Sequence, residues 1–484
     1  MPTFHRNILV LALIAHCIIA WNSSGYYSAD EHFQIIAFAQ AKLGELPIEH
    51  LAWEYDTRIR SSFQPWIAVG VFKIAAAFGT VDPFIRTFLL RLLTALISLF
   101  AVRGFVRATL DQVPGHLRKT FIVLSYFLWF LPFLHVRFSS ESWSGVFLLF
   151  GLAGILGKRT NGSLIGTGIA FGFAVLCRPP VGFVVLCALL WMHFIRKDTL
   201  RDVLALIGGA SAVALIGFAM DSAFYGSSTF SVWRYVQMGF MGNAEHPFDE
   251  LPWYYYPPWV VKYATPPIGI AILLAACLLI CKQPKHLLVW CIVPFFVVHA
   301  FIPHKELRFL FPLADLVPLL LILGLNELRP LFHRPMMRLS ALSYVVLCAI
   351  LNIAGLAVVM TTAAGIGRTA LAEELHRSVI PGDRIGYMIS PDIAWRITLP
   401  NFYRPEGTQE VVFSSEASDR MIGTLDYLVA EPLKSAYFAE SRNLQLQALA
   451  RTETPWVEQL MRWYTWNEGP APWTLYRVVQ DQPR

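Results

Sequence analysis

The chain has 484 residues, of which 56% are hydrophobic and only 15% are charged, and its mean hydropathy is +0.51. Soluble domains carry about 25% charged residues, and a single core of this size could not bury so much apolar surface, so the composition excludes a purely soluble protein. The formal net charge of +6 is modest and comes without a basic stripe, which indicates basic cytoplasmic loops rather than a nucleic-acid partner.

The N-terminus resembles a signal peptide, because His5 and Arg6 precede an apolar run at residues 8–21. Many apolar runs follow, and no clear small-residue cleavage pattern does, so we predict an uncleaved first helix with a cytoplasmic N-terminus. The further runs lie near residues 65–79, 84–107, 119–134, 141–157, 163–177, 180–195, 201–220, 258–281, 286–302, 308–326 and 337–361. Two polar stretches, 22–64 and 221–257, interrupt them.

Lysines and arginines between the runs set the orientation, since cytoplasmic loops are enriched in both. Residues 22–64, 221–257, 303–308 and the C-terminal region are then non-cytoplasmic. Twelve full crossings would place 22–64 and 221–257 on opposite sides, so one run fails to cross or two merge, and we predict about 11 transmembrane helices. The basic residues that mark the cytoplasmic loops are Lys158, Arg159, Arg196, Lys197, Arg201, Lys282, Lys285, Arg329, Arg334 and Arg338.

After residue 362 the apolar runs stop. We predict a transmembrane domain at 1–362 and a small soluble, non-cytoplasmic α/β domain at 363–484. Its tryptophans indicate either a packed core or an aromatic face that stacks on sugars. Strands are predicted at residues 384–389, 410–413, 425–429 and 473–479 and helices at 433–450 and 454–464, and the tryptophans are Trp395, Trp456, Trp463, Trp466 and Trp473.

The seven cysteines all lie in or beside apolar runs, and none follows Cys348. Cys277 and Cys281 have the four-residue spacing of one helix face, within an apolar segment. Buried cysteine usually acts as a small hydrophobic residue. We therefore expect neither a disulfide framework nor a zinc site.

Two adjacent carboxylates, Asp30 and Glu31, follow the first helix on the non-cytoplasmic side. Asp30 fits the N-cap of a helix over 31–43, with Glu31 in its first turn. Catalysis is an equally good interpretation, and the two roles are compatible.

The same loop carries Glu54, Asp56, Arg58 and Arg60 among aromatic residues. The arginines could pair with the acids in a surface network. They could also bind a phosphate, because a planar guanidinium matches two phosphate oxygens.

A third polar cluster, HKELRF at residues 304–309, lies between two apolar runs. Pro303 is suited to the first position of a helix, which would place His304 and Arg308 on one face near the helix N-terminus. Free amides and cationic side chains together make an anion site. A purely snorkelling basic cap would not explain Glu306, nor why cations flank a non-cytoplasmic loop.

A fourth cluster begins with Asp221 and Tyr225 and continues to Trp253 and Tyr256. Its aromatic residues could form an interfacial belt, or they could line a pocket for a sugar or a lipid head group. Composition does not separate these two interpretations.

These motifs resemble glycosyltransferase family 22, whose members include the GPI-anchor and N-glycan mannosyltransferases that use dolichyl-phosphate mannose. HKELRF matches the family's HKExRF signature, and the DE pair followed by Phe33-Gln34 is similar to its DE-x-FQ loop. WEYDTRIRS resembles its WE…RS segment, and Cys177-Arg178-Pro179 resembles its RPT segment with Pro180 in place of Thr. The D-x-x-FYG…PW-x-x-Y stretch is matched from Asp221 to Tyr256. The resemblance covers roughly residues 8–325.

The resemblance implies a GT-C fold and inverting transfer of mannose from a polyprenyl or dolichyl phosphate to a glycan or glycolipid hydroxyl. Asp30 is the candidate base, with Glu31 as alternative or orienting partner. Two carboxylates make a poor metal site, so we expect no metal and no cofactor. The candidate donor-phosphate ligands are His304, Lys305, Arg308, Arg58, Arg60 and Arg178, and the candidate substrate-binding residues are Glu54, Asp221, Tyr225, Trp253 and Tyr256.

The partners expected from the resemblance are a membrane lipid donor and a glycan or glycolipid acceptor. The setting would be the bacterial inner membrane facing the periplasm or, as an alternative, the ER membrane facing the lumen. Transfer of another sugar to lipid A or to protein is an alternative activity. A transporter or flippase would instead show internal repeats and ionisable residues near the membrane midplane, whereas the charges here cluster at one face.

Overall fold

A computed structural model describes most of the chain, and it is mainly helical. The described residues are 1–157, 161–241, 250–364, 368–389, 400–405, 407–413, 424–432, 435–436, 439–440, 444–452, 456–457, 459–460 and 473–479. The predicted loop at Lys158 and Arg159, part of the stretch 221–257, and three of the tryptophans (Trp395, Trp463, Trp466) lie outside these residues.

The helices of the N-terminal region are α1 (Pro2–Asn22), α2 (Ala29–Glu31), α3 (Ala37–Leu43), α4 (Glu54–Thr57), α5 (Phe63–Ala77), α6 (Pro83–Thr109), α7 (Arg118–Phe127), α8 (Phe130–Leu134), α9 (Ser140–Leu156) and α10 (Asn161–Cys177). They are followed by α11 (Gly182–Phe194), α12 (Leu200–Tyr225), α13 (Ser231–Met241), α14 (Tyr256–Tyr263), α15 (Pro266–Lys282), α16 (Leu287–Phe301), α17 (Val317–Asn326), α18 (Pro335–Thr361) and α19 (Arg368–Ser378). A π-helix at His32–Ile36 and a 3-10 helix at Leu307–Leu316 are the irregular helices that matter for the site.

Five of the described helices are long and apolar enough to cross a bilayer. They are Pro2–Asn22, Pro83–Gln112, Leu200–Tyr225, Leu307–Asn326 and Pro335–Thr361. A sixth span is available if α15 and α16, which meet at a 117° bend, count as one. Four shorter apolar helices accompany them, and the number of about 11 crossings stays a prediction.

Close helix packing in the membrane region depends on glycine. A Cβ atom at Gly168 of α10 would lie 2.0 Å from the carbonyl oxygen of Leu206 of α12, and one at Gly209 would lie 2.3 Å from that of Ile165. Lipid gives no hydrophobic drive between helices, so small residues that let backbones approach strengthen such packing.

Helix α12 starts at a capping box formed by Thr199 and Asp202.

Two compact units divide the chain. The first comprises Met1–Ile19, Ala29–Ile74 and Leu90–Ala357, and the second comprises Ala20–Ser28, Ala75–Leu89 and Val358–Arg484. The predicted domain boundary at residue 362 stays a prediction.

The second unit contains a five-stranded sheet among its described residues. The strands are β1 (Arg384–Met388), β2 (Gln409–Phe413), β3 (Tyr427–Ala430), β4 (Gln445–Arg451) and β5 (Thr474–Val479), in the order β2-β1-β3-β5-β4. Strand β1 is parallel to β2 and β3, whereas β5 is antiparallel to β3 and β4. Leu371 and Leu375 of α19 pack on the side of the sheet that carries Ile385.

The four predicted strands are present, each shifted by no more than two residues at either end. The predicted helix at 433–450 is wrong at its end, because Gln445–Arg451 form β4. Most of the predicted helix at 454–464 lies outside the described residues. Trp473 packs against the sheet core, while Trp456 is exposed.

Candidate active site

A dense cluster of charges surrounds Asp30 at the start of the helical part of the first loop. Nη1 of Arg308 lies 2.5 Å from Oδ2 of Asp30, and Nη2 of Arg60 lies 3.8 Å from the same oxygen. The Asp30 side chain keeps 19% of its surface exposed. Asp30 lies within the first turn of α2, so the capping interpretation is wrong, and its carboxylate instead faces two guanidinium groups.

Local chain geometry brings Arg60 to this cluster. Helix α4 ends at Thr57, and the next residue, Arg58, adopts a left-handed conformation with φ of 57°. The carbonyl of Arg60 then accepts a 2.6 Å hydrogen bond from the hydroxyl of Tyr225. Arg58 itself contacts the hydroxyl of Ser227.

The second carboxylate, Glu31, faces a different arginine. Its Oε2 lies 3.5 Å from Nη1 of Arg137, a side chain with only 2% exposure. Arg137 lies between α8 and α9, in a segment that the sequence analysis did not single out. Its position between the apolar runs 119–134 and 141–157 could have identified it, because ionisable residues in such positions are rare and usually functional.

A third carboxylate, Glu141, joins two of the predicted arginines. Its Oε1 lies 3.3 Å from Nη1 of Arg178 and 3.6 Å from Nη1 of Arg308. Glu141 stands in the first turn of α9, whose N-cap Ser139 accepts a hydrogen bond from the amide of Ser142. Sequence analysis missed Glu141 because it falls inside an apolar run.

The residues of HKELRF do not form the predicted helix. The segment from Pro303 to Glu306 is non-helical, and Glu306 is extended with φ of −133° and ψ of 143°. The helix starts at Leu307 and is of the 3-10 type. His304 and Arg308 therefore do not share a helix face as expected.

Glu306 links the basic residues of this segment instead. Arg308 donates from Nε and Nη2 to the two oxygens of Glu306, at 2.5 and 2.7 Å, and Nε2 of His304 lies 3.0 Å from Oε1. Nζ of Lys305 donates to the backbone carbonyls of Leu251 and Ile302, at 2.7 and 2.6 Å. Lys305 is therefore buried and binds the backbone, whereas Arg308 pairs with the carboxylates of Asp30 and Glu306.

The charge cluster controls the ionisation of its acids. Burial by itself would raise the pKa of Asp30, but Arg308 and Arg60 outweigh burial and hold that pKa below its usual value. The pKa of Glu306 is also lowered, since its hydrogen bonds from Arg308 and His304 and the Arg308 charge outweigh the effect of burial. Both carboxylates are thus ionised at neutral pH.

Asp221 and Glu54, predicted to bind substrate, are buried. Asp221 accepts four hydrogen bonds, from the amide and hydroxyl of Ser62 and the amide and hydroxyl of Ser231, at 2.5–3.1 Å. This arrangement fixes the turn after Arg60. Glu54 accepts from Gln34 at 2.8 Å and lies 3.6 Å from Arg60.

The two aromatic candidates differ in exposure. Trp253 is 67% exposed, whereas Tyr256 is fully buried and its hydroxyl has no hydrogen-bond partner among the described residues. Tyr256 lies on α14, which packs against the 3-10 helix that carries Arg308.

The arrangement suits proton transfer beside a developing anion. An ionised carboxylate can accept a proton, and the guanidinium groups next to it can stabilise a phosphate. Over the described part of the chain, no three His, Cys, Asp or Glu side chains meet as metal ligands. The carboxylates of the cluster pair with arginines instead.

The chain is similar in sequence to known mannosyltransferases. Residues 7–377 match the model of the Alg9-like mannosyltransferase family. The chain is 23% identical over 312 residues to GPI mannosyltransferase 3 of Candida albicans, covering 63% of this chain and 61% of that protein. It is 26% identical over 212 residues to a probable Dol-P-Man:Man(7)GlcNAc(2)-PP-Dol alpha-1,6-mannosyltransferase of Schizosaccharomyces pombe, covering 42% and 38%.

Among solved structures, the chain is similar to ArnT from Cupriavidus metallidurans bound to undecaprenyl phosphate. The TM-score is 0.52 at 13% identity, covering 99% of this chain and 98% of ArnT. With the apolar helices, this likeness confirms the predicted GT-C-like membrane fold with a small C-terminal α/β region.

Proposed function

The chain belongs to the Alg9-like mannosyltransferase family, and we propose that it transfers mannose from a polyprenyl or dolichyl phosphate to a hydroxyl of a glycan or glycolipid. It spans about 61% of the length of GPI mannosyltransferase 3 of Candida albicans. The name of the Schizosaccharomyces pombe relative gives dolichyl-phosphate mannose, Dol-P-Man, as its donor, which supports the choice of donor.

The observation that carries the proposal is the ion pair between Asp30 and Arg308. A glycosyl transfer from a lipid phosphate needs a group that takes the acceptor proton and a group that stabilises the departing phosphate. Asp30 and Arg308 supply both functions in direct contact. Arg60 and Arg178 provide further positive charge around them.

The proposed reaction is an in-line displacement. A bond forms between the acceptor oxygen and C1 of mannose while the bond from C1 to the phosphate oxygen breaks. The acceptor proton moves to Asp30, and the lipid phosphate leaves with the electron pair. A β-linked donor therefore gives an α-mannoside.

Charge stays balanced around Arg308 during this reaction. Asp30 loses its negative charge as it takes the proton, and the phosphate gains negative charge as it leaves. Arg308 can thus transfer its interaction from the carboxylate to the phosphate, which stabilises the transition state more than the bound substrate. Glu306 holds the other edge of the guanidinium and fixes its direction.

We place the reaction on the non-cytoplasmic face of an integral membrane protein, either toward the bacterial periplasm or toward the ER lumen. The basic loops between the apolar runs support this orientation. No metal ion or cofactor takes part in the proposed reaction.

The test is a donor panel with the purified protein in liposomes. Polyprenyl phosphates carrying labelled mannose, glucose or galactose are supplied with a membrane lipid extract as acceptor. We expect release of polyprenyl phosphate and an α-mannosidase-sensitive product from the mannose donor alone. Transfer from another donor, with none from mannose, would overturn the assignment of the sugar.

A further inference from the structure

Two buried histidines and an aspartate form a hydrogen-bond chain beside the charge cluster. Nδ1 of His16 lies 2.7 Å from the carbonyl oxygen of Ala12, and its Nε2 lies 3.0 Å from Nδ1 of His135. Nε2 of His135 lies 2.7 Å from Oδ1 of Asp315. His16 and His135 are 0% and 2% exposed, and none of these residues belongs to the proposed chemistry.

The protons of this chain can be placed from its ends. A carbonyl oxygen only accepts, so Nδ1 of His16 carries a hydrogen and Nε2 of a neutral His16 is an acceptor. Nδ1 of His135 must then donate to it. One further proton lies between Nε2 of His135 and Asp315, because a carboxylate and a bare ring nitrogen would both be acceptors at 2.7 Å.

The chain closes a ring with the charge cluster. Arg308 and Asp315 lie on the same 3-10 helix, and His135 and Arg137 lie two residues apart. The two ends meet at the adjacent Asp30 and Glu31, since Arg308 pairs with Asp30 and Arg137 pairs with Glu31.

Three non-covalent contacts therefore hold the ring: Arg308 with Asp30 at 2.5 Å, Asp315 with His135 at 2.7 Å, and Arg137 with Glu31 at 3.5 Å. Ser98 of α6 donates to the carbonyl of His135 at 3.2 Å and fixes the segment from another side.

We propose that His135 and Asp315 are positioning residues, whose hydrogen bond sets the separation of Arg137 and Arg308 and thereby aims Asp30 and Glu31. This inference rests on the proposed function for its effect on catalysis. A displacement of about 1 Å in a reacting group can lower a rate by about 100-fold. The hydrogen bond, rather than the charge of Asp315, is what the positioning requires.

Two substitutions separate the hydrogen bond from the charge. Asp315→Asn keeps the chain, because its amide can donate to Nε2 of a neutral His135 while Nδ1 still donates to His16. Asp315→Ala leaves Nε2 without that partner. His5→Phe is the matched control, since it removes another buried histidine hydrogen bond of α1, between Nε2 of His5 and the hydroxyl of Tyr126 at 2.8 Å.

In the mannose-transfer assay we expect Asp315→Ala to lower kcat by about 10- to 100-fold with little change in the KM for donor. Asp315→Asn and His5→Phe should stay within about threefold of the wild type. A wild-type kcat in Asp315→Ala, or equal losses in Asp315→Asn and Asp315→Ala, would overturn the positioning role.

Two measurements do not depend on activity. Thermal unfolding should show that the Tm losses of Asp315→Ala and Arg137→Ala are not additive, because the first already loosens the contact that the second removes. Side-chain ¹⁵N NMR should show a protonated Nδ1 of His135 in the wild type and in Asp315→Asn. Additive Tm losses or an unprotonated Nδ1 would refute the positioning pair, whereas a wild type that transfers no mannose would refute only the proposed function.

Discussion

Arg308 Nη1 lies 2.5 Å from Asp30 Oδ2, so the residue best suited to stabilise a departing phosphate is paired with the residue best suited to take a proton. The guanidinium is already oriented by Glu306 before any substrate binds. Such preorganisation avoids the cost of reorienting dipoles during the reaction.

Asp30→Asn should lower the rate of transfer by about 10²- to 10⁴-fold, because an amide cannot take the acceptor proton. The measurement is the initial rate with labelled mannose donor at equal amounts of folded protein. Asp56→Asn, an exposed acid on the same loop, should retain wild-type activity. Full activity of Asp30→Asn would remove Asp30 as the base.

Arg308→Ala should cost about 2–4 kcal/mol of transition-state stabilisation, as expected for loss of a charged group that faces a leaving phosphate. The measurement is kcat/KM for the donor. Arg201→Ala, at an exposed basic position on α12, is the control. A change confined to expression level would instead give Arg308 a structural role.

Arg60→Gln should move the acid limb of the kcat/KM profile to higher pH. Activity needs ionised Asp30 and is lost as the pH falls through its pKa, which Arg308 and Arg60 together lower despite burial. Removing one guanidinium raises that pKa and so shifts the limb upward. The pH profiles of the wild type, Arg60→Gln and the exposed-site control Arg377→Gln provide the test, and an unmoved limb would contradict it.

Asp221→Ala should destabilise the protein rather than weaken substrate binding. The change leaves four buried donors of Ser62 and Ser231 without their carboxylate, at a cost on the order of 3 kcal/mol. Thermal unfolding measures the loss. Asp202→Ala on the same helix removes part of an exposed capping box and should cost about 1 kcal/mol. A normal Tm with a raised donor KM would return Asp221 to substrate binding.

Chelation by EDTA should leave the transfer rate unchanged. The carboxylates of the cluster are paired with Arg308, Arg60 and Arg137, so a cation would have to displace a guanidinium group. Rates before and after EDTA treatment, and after addition of Mg²⁺ or Mn²⁺, test this expectation. Loss of activity with EDTA and recovery with either metal would contradict it.

The membrane fold could be predicted from the sequence, and many of the charged residues in the cluster around Asp30 were named as candidates. Their pairing could not be predicted. Arg308 and Asp30 were both candidates, yet they lie far apart in the sequence, and their contact arises from tertiary packing that no local pattern reveals. The contacts of Lys305 also could not be predicted from its motif. Its motif indicates a phosphate ligand, whereas its ammonium group donates to the backbone carbonyls of Leu251 and Ile302.

Helix propensity misled the prediction for β4. Gln, Leu and Ala from Gln445 to Ala450 favour a helix in isolation, but pairing with β5 selects the strand, with a register shift between Ala448 and Ala450. Glu141 was missed for a related reason, because a single acid within an apolar run leaves the average hydropathy high.

The π-helix at His32–Ile36 fixes the number of residues that the first loop can have in this segment. A π turn amounts to one residue inserted into an α-helix, and each α-helical residue turns the chain by about 100°. Deleting one residue here would restore α-helical geometry and swing Asp30 and Glu31 away from their arginines without altering any charged side chain. An exchange of one apolar residue for another within the segment leaves that rotation intact, so deletions there should be far less tolerated than substitutions.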